Sequence, residues 1–141
     1  MTFRYPLVAN GTSIQELQNS DSLNLGVSAN AVNPTITNYT ESLYANTTPG
    51  SAFTVNLSNG TIQQLTLGSN ITITMPPVTA GKSFLLMLLQ NSTGGYSVTW
   101  STVKWPSGTA PTITSTANKQ DMYSFFSDGT YWYGVTIGQS Y

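Results

Sequence analysis

The chain has 141 residues but only 4 basic and 5 acidic side chains, and its formal net charge is −1 at pH 7. It contains no cysteine and no histidine, which excludes disulfides, cysteine nucleophiles, Ser-His-Asp triads and nearly all zinc sites. The basic residues are scattered singly, so neither nucleic acid nor an anionic membrane is expected as a partner. Residues 84–89 are the longest apolar run, too short for a membrane span, and no signal peptide is expected.

The composition predicts a folded all-β protein. Charged residues make up only 6% of the chain, but aromatic residues make up 11% and β-branched residues are abundant. Disordered chains combine few aromatic residues with high net charge, so disorder is not expected beyond about residue 38.

Residues 1–37 are predicted to form an N-terminal arm rather than a closed module. Their apolar side chains are too few to offset the entropy of ordering an independent fold. Residues 14–17 suit either a strand or half a helical turn. The segment as a whole is either a frayed terminus or an extended arm that docks on a neighbour. If it docks, the expected contact residues are Phe3, Tyr5, Leu7, Ile14 and Leu17.

Residues 38–141 are predicted to form one domain made of successive strands. Residues 53–57 and 62–67 flank Asn59-Gly60, a favoured hairpin turn, and are expected to pair with each other. The alternating strand 71–75 ends at Pro76-Pro77. Residues 84–89 are apolar on both faces, which fits a central strand better than a short buried helix.

The segment 94–141 carries all three tryptophans. Residues 96–100 alternate as a half-buried strand does, and residues 122–126 and 131–137 form two further strand-like runs around Asp128-Gly129. An antiparallel hairpin is expected here.

Together these patterns predict an antiparallel β-sandwich or jelly roll with an extended N-terminal arm. No repeat of fixed period emerges, so a solenoid is not expected.

Several stretches resemble the proteins of tailed-bacteriophage particles. They are the sequence TVKWPSGTAPTIT at 102–114, DGTYWYG at 128–134 with a final aromatic residue after Gly138-Gln139, and the opening YPLVANG followed by IQEL. Such segments occur in tail-fibre and other surface proteins, especially of marine and cyanobacterial phages. The resemblance implies a virion surface protein, assembled in the host cytoplasm as a homo-oligomer, with a trimer expected.

No enzymatic activity, cofactor or metal is expected. Five carboxylates remain, and Asp121 and Asp128 flank the same expected hairpin, as a glycosidase pair would need to do. A structural role fits both residues better than catalysis does, with Asp128 in a turn and Asp121 at the start of a strand. No spacing of acidic residues suggests calcium ligands.

The favoured function is that of a capsid decoration, or cement, protein that stabilises the head by burying apolar surface between subunits. Its partners would be other copies of itself and the major capsid protein or other virion proteins. The alternative is a short tail-fibre or adhesin module that binds a host-surface glycan on its aromatic strands. The expected interface residues are Leu85, Met87, Trp105, Tyr131, Trp132 and Tyr133, although packing of tryptophans inside the domain's own core stays an open alternative.

Overall fold

The computed structural model describes residues 7–10, 13–16, 35 and 37–141. The chain divides into two compact units, Met1–Asn38 and Tyr39–Tyr141. In the first unit, β1 (Leu7–Asn10) pairs antiparallel with β2 (Ser13–Glu16). Residues 14–16 are therefore a strand rather than a helical turn. The predicted arm residues Phe3, Tyr5 and Leu17 lie outside the described residues.

The second unit consists of strands and two short 3-10 helices at Leu57–Asn59 and Pro106–Gly108. No helix in the described part of the chain is long and apolar enough to cross a membrane. The strands are β3 (Leu43–Asn46), β4 (Ala52–Thr54), β5 (Ile62–Leu67), β6 (Ile71–Thr74), β7 (Ser83–Gln90), β8 (Val98–Trp100), β9 (Val103–Lys104), β10 (Gln120–Ser127) and β11 (Trp132–Gly138).

From β3 to β8, successive strands alternate between two sheets, and β9, β10 and β11 all belong to the large one. The large sheet has the order β3-β5-β7-β10-β11-β9, and the small sheet has the order β4-β6-β8. Within the large sheet β3, β5 and β7 are parallel, and all three strands of the small sheet are parallel. The pairs β3–β4, β5–β6 and β7–β8 are thus three stacked coils, the arrangement of a parallel β-solenoid.

This topology confirms the all-β class but corrects the expected antiparallel arrangement. Residues 53–57 and 62–67 do not pair with each other, because β4 lies in the small sheet and β5 in the large one. The chain between them enters a 3-10 helix, which Asn56 caps by accepting a hydrogen bond from the Ser58 N–H (2.9 Å). The buried Gln63 amide then donates to the carbonyls of Asn56 and Gly60 and holds this turn.

The three coils cannot be recognised as a repeat in the sequence because their lengths differ. In the large sheet Leu43 lies beside Ile62 and Ile62 beside Leu85, which are offsets of 19 and 23 residues. In the small sheet Ala52 lies beside Thr72, an offset of 20 residues, whereas Ile71 lies beside Val98, an offset of 27 residues. The sequence therefore contains no repeat of fixed period.

Two strand predictions are confirmed. β7 is central in the large sheet, between β5 and β10, and presents buried Phe84, Leu86 and Leu88 to the core. β10 and β11 form the expected antiparallel hairpin, with Ser127 opposite Trp132. This hairpin extends the large sheet beyond the last coil.

Aromatic rings join the two sheets in a single core. Phe84 stacks on Phe125 (centroids 4.8 Å apart), and Trp132 meets Phe84 edge-on at 5.2 Å. From the small sheet, Trp100 packs against Trp105 and Phe125 at 5.2 and 5.6 Å. Strands of both sheets therefore depend on the same cluster.

Gly134 offers a test of how tightly this cluster is packed. A Cβ there would lie 2.6 Å from the Trp105 ring, so we expect Gly134→Ala to destabilise the protein by about 1–3 kcal/mol through overpacking. Urea unfolding monitored by tryptophan fluorescence measures the change.

Gly68→Ala is the matched control, because the nearest atom to its added methyl is the Asn91 amide nitrogen at 3.6 Å, an ordinary contact. Its free energy of unfolding should change by no more than about 0.5 kcal/mol. Equal losses in the two variants would contradict tight packing at Gly134.

Candidate binding surface

The large sheet has one face in the core and one face turned outward. On the outward side, apolar side chains follow each other across the strands, and we call this set the outer face. One row runs through Leu43, Ile62, Leu85, Ser124 and Val135, which the strand registers place side by side. The outer face comprises this row together with Met87, Leu89, Met122, Phe126 and Tyr133.

Several outer-face side chains are strongly exposed. The exposed fractions of Leu43, Phe126 and Val135 are 54%, 51% and 48%. Large contiguous apolar patches are uncommon on monomeric proteins and mark sites of interaction.

The strands of the outer face carry almost no charge, although Glu41, just before β3, borders this face beside Ile62 and Leu85. Among the strand residues of the large sheet, the acidic or basic ones are Asp121, which points into the core, and Lys104, on edge strand β9. Two polar side chains of this face bond to each other, since the Gln64 amide donates to the Gln120 side-chain oxygen (2.6 Å). A partner that covers this face would therefore bury few charged side chains.

The turn of the β10–β11 hairpin holds a second exposed group. Asp128 accepts hydrogen bonds from the N–H groups of Thr130 (2.7 Å) and Tyr131 (2.8 Å) and from the Tyr133 hydroxyl (2.9 Å). The N–H groups of Tyr131 and Thr130 hold the pKa of Asp128 below its usual value, while the bond to Asp128 raises the pKa of Tyr133. The Lys104 ammonium lies 4.6 Å from the centre of the Tyr131 ring. Both tyrosines are thus oriented although each is 41% exposed.

The residues predicted for an interface fall into three places. Leu85 and Met87 lie on the outer face and are partly exposed, and Tyr131 and Tyr133 lie at the hairpin turn. Trp105 and Trp132 are only 9% and 1% exposed, and the Trp132 indole donates to the Pro76 carbonyl (2.8 Å). These two tryptophans are core residues, so a role in contacting a partner does not fit their burial.

Of the outer-face residues on the hairpin, Tyr133 was predicted from the sequence, whereas Met122, Phe126 and Val135 were not. Phe126 and Val135 alternate with buried Phe125 and Gly134, and that period of two was the available signal. Trp132 was predicted to be an interface residue because large aromatic side chains are common in both cores and interfaces, but it lies on the buried side of its strand. Of the predicted arm residues, Leu7 and Ile14 lie on β1 and β2, and their docking role stays a prediction.

Asp121 and Asp128 do not form a catalytic pair in this fold. They stand seven residues apart along an extended strand, a separation of roughly 20 Å at about 3.3 Å per residue. Glycosidase carboxylates lie about 5–9.5 Å apart. Among the described residues no group of acidic side chains could hold a metal ion.

Asp121 instead clamps the end of the chain to the core. Its carboxylate is 1% exposed and accepts hydrogen bonds from the N–H groups of Thr114 (2.7 Å) and Ser140 (2.9 Å), the Gln139 amide (3.0 Å) and the Tyr123 hydroxyl (3.1 Å). Burial opposes ionisation, but these donors outweigh it and hold the pKa of Asp121 below its ordinary value. Burial and the nearby Asp121 carboxylate raise the pKa of Tyr123.

Residues 47–132, more than half of the chain, match the model of a family described as "Putative phage tail fibre C-terminal domain". The chain belongs to this phage tail fibre family. It is therefore a phage structural protein associated with the virion, and its family is of a structural rather than an enzymatic kind. No curated protein sequence matches the chain. The tail-fibre alternative fits the family better than the favoured prediction of capsid decoration does.

The Asp121 clamp predicts a specific loss of stability in acid. Because the folded-state pKa lies below the ordinary value of 3.8, ionised Asp121 contributes its full stabilisation above that value and loses it as pH falls through the folded pKa. We expect Asp121→Asn to cost about 1–3 kcal/mol at neutral pH and to show a shallower further loss in acid. Urea unfolding at a series of pH values from about 7 to about 2 measures both effects.

Asp128→Asn is the control, since this exposed carboxylate also has a lowered pKa but faces water. Its effect should be clearly smaller. If both variants follow the acid profile of the unmodified protein, the Asp121 clamp does not determine acid stability.

Proposed function

We propose that this protein is a non-enzymatic module of a phage tail fibre that acts by contact and assembles with other copies of itself through the outer face. The family match supports the tail-fibre setting. The outer face supports the proposal for assembly, because most of its side chains are apolar and lie side by side across five strands.

The size of the outer face is adequate for an interface. Five strands spaced by about 4.8 Å, with about six residues of about 3.3 Å each, span an area on the order of 500 Å². One partner in a standard protein interface buries about 800 Å² of accessible surface, which is a similar magnitude. A second copy suits this face because a surface with almost no charge meets itself without repulsion between like charges. A homotrimer remains the oligomer that the resemblance implies.

Capsid decoration would also depend on burial of an apolar sheet face between subunits. No feature of the described residues favours a capsid protein as the partner over another fibre subunit. The family match favours the tail.

A second candidate function is the binding of a host-surface glycan at the hairpin turn. The exposed and oriented rings of Tyr131 and Tyr133 favour it, because the faces of aromatic rings stack on the C–H faces of sugars. The two candidates share Tyr133, which belongs to the outer face and lies near the turn, but glycan binding at Tyr131 would leave the outer face free for assembly.

Val135→Glu tests the assembly proposal. Placing a carboxylate on β11, at one end of the apolar row of the outer face, should shift the protein toward the monomer, because a charge buried in an apolar interface without a partner is strongly unfavourable. We expect association to weaken by about 100-fold or more, measured by size-exclusion chromatography with light scattering over a dilution series.

Val78→Glu is the matched control. Val78 is 42% exposed, close to the 48% of Val135, but lies on the loop after β6 and not on the outer face. Its oligomeric state should match that of the unmodified protein. An unmodified protein that stays monomeric at high concentration, or a Val135→Glu variant that assembles normally, would overturn the proposal.

A further inference from the structure

A cavity of about 250 Å³ lies beside the turn of the β10–β11 hairpin. Three segments that are distant in sequence line it: the hairpin turn, the loop that follows β6, and the link between β8 and β9. The lining residues that matter here are Pro76, Val78, Ser101, Thr102, Thr130 and Tyr131.

Hydrogen bonds fix each wall of this cavity. The Trp132 indole donates to the Pro76 carbonyl (2.8 Å), and the Tyr131 N–H donates to the Asp128 carboxylate (2.8 Å). The Met75 N–H donates to the Ser101 hydroxyl oxygen (2.9 Å). Walls that are already held in place reduce the ordering that a ligand would otherwise have to impose.

The lining combines aromatic rings, hydroxyl groups and apolar side chains. Tyr131 and the buried Trp132 supply the rings, of which Tyr131 is the exposed one, while Thr130, Thr102 and Ser101 supply hydroxyls. The Ser101 oxygen already accepts a hydrogen bond from Met75, so its own proton remains available to donate. No acidic or basic side chain is among the described residues that line the cavity.

We propose that this cavity binds one neutral hexopyranose ring, with a C–H face of the sugar on Tyr131 and its hydroxyls bonded by Ser101, Thr102 and Thr130. A pyranose ring has an apolar face and a rim of hydroxyls, which matches one aromatic wall surrounded by hydroxyl groups. The cavity lining carries no charge, which favours a neutral sugar over an acidic one, and the sugar would stack on the face of Tyr131 away from the Lys104 ammonium, which lies 4.6 Å from the ring centre. This inference rests on the second candidate function and names its site and ligand class.

The volume of the cavity fits a single ring. Sites for drug-sized ligands measure about 300–1,000 Å³, and this cavity is smaller. A larger cavity of about 540 Å³ lies beside Lys82, but no aromatic side chain lines it, so it offers no stacking surface. Contact with one ring predicts weak binding, with a dissociation constant on the order of 1 mM.

The test uses the whole chain and a panel of simple sugars. The neutral probes are the methyl glycosides of glucose, galactose, mannose and N-acetylglucosamine, and the acidic probes are glucuronic acid and N-acetylneuraminic acid. Titrations followed by ¹H–¹⁵N NMR should show at least one neutral probe shifting the backbone signals of Thr130 and Tyr131 and the indole signal of Trp132.

Variants at the two tyrosines locate the site. Tyr131→Ala should weaken binding by about tenfold because the stacking surface is removed, whereas Tyr131→Phe should retain it. Tyr133→Ala is the matched control, since Tyr133 is equally exposed at 41% but does not line the cavity. Thermal unfolding of each variant checks that it is folded, and Thr102→Val provides a second variant should Tyr131→Ala fail to fold.

The outcomes separate this inference from the functions on which it rests. Loss of binding in Tyr131→Ala but not in Tyr133→Ala supports the cavity as the site. Loss only in Tyr133→Ala overturns the site while leaving glycan binding in place, and tighter binding of the acidic probes overturns the neutral assignment. If no probe binds, both the site and the glycan function fail, and the assembly proposal is judged separately by Val135→Glu.

Discussion

The fold depends on one aromatic cluster that both sheets share. With no cysteine and only 4 basic and 5 acidic residues, the protein has no disulfides and few ion pairs to stabilise it, so apolar burial is the main favourable contribution. Phe84, Phe125, Trp100 and Trp132 bring residues of both sheets into this cluster. The indole N–H groups of Trp100 and Trp105 are buried and have no hydrogen-bond acceptor among the described residues. Contacts of ring edges with neighbouring rings partly offset that cost.

In the C-terminal hairpin, the side chains on one side of each strand stabilise the fold, and those on the other side are exposed. One side of each strand belongs to the aromatic core and to the Asp121 clamp, and the other side contributes Phe126, Tyr133 and Val135 to the outer face. Because the inward side chains fix the strands, the outward ones are presented in a rigid array. A rigid array loses little conformational entropy when a partner covers it. This division explains how a chain with so few charges can combine a folded core with an exposed apolar face.

The low charge of the outer face determines how a contact through it would respond to salt. Apolar contacts are much less sensitive to ionic strength than exposed ion pairs, whose attraction salt screens. The single lysine at the edge of the large sheet lies against the ring of Tyr131 and therefore stands at the hairpin turn rather than in the middle of the outer face. Assembly and ligand binding would then use neighbouring but separate surfaces, consistent with a module of a tail fibre.

The sequence by itself determined the all-β class, the central position of residues 84–89 and the antiparallel pairing of β10 with β11, because period-two alternation and an Asp-Gly turn act over short distances. Residues 102–114 and 128–134 also indicated a phage virion protein, although the favoured prediction was capsid decoration rather than the tail fibre that the family match supports. Only the tertiary structure decided that the chain passes from one sheet to the other at Asn59-Gly60. It also decided that coils of unequal length stack in parallel, because parallel pairing joins residues 19 to 27 positions apart. It likewise decided that Trp105 and Trp132 lie inside while Phe126 and Val135 lie outside. Alternation shows that two sides of a strand differ, but which side is covered depends on the sheet packed against it.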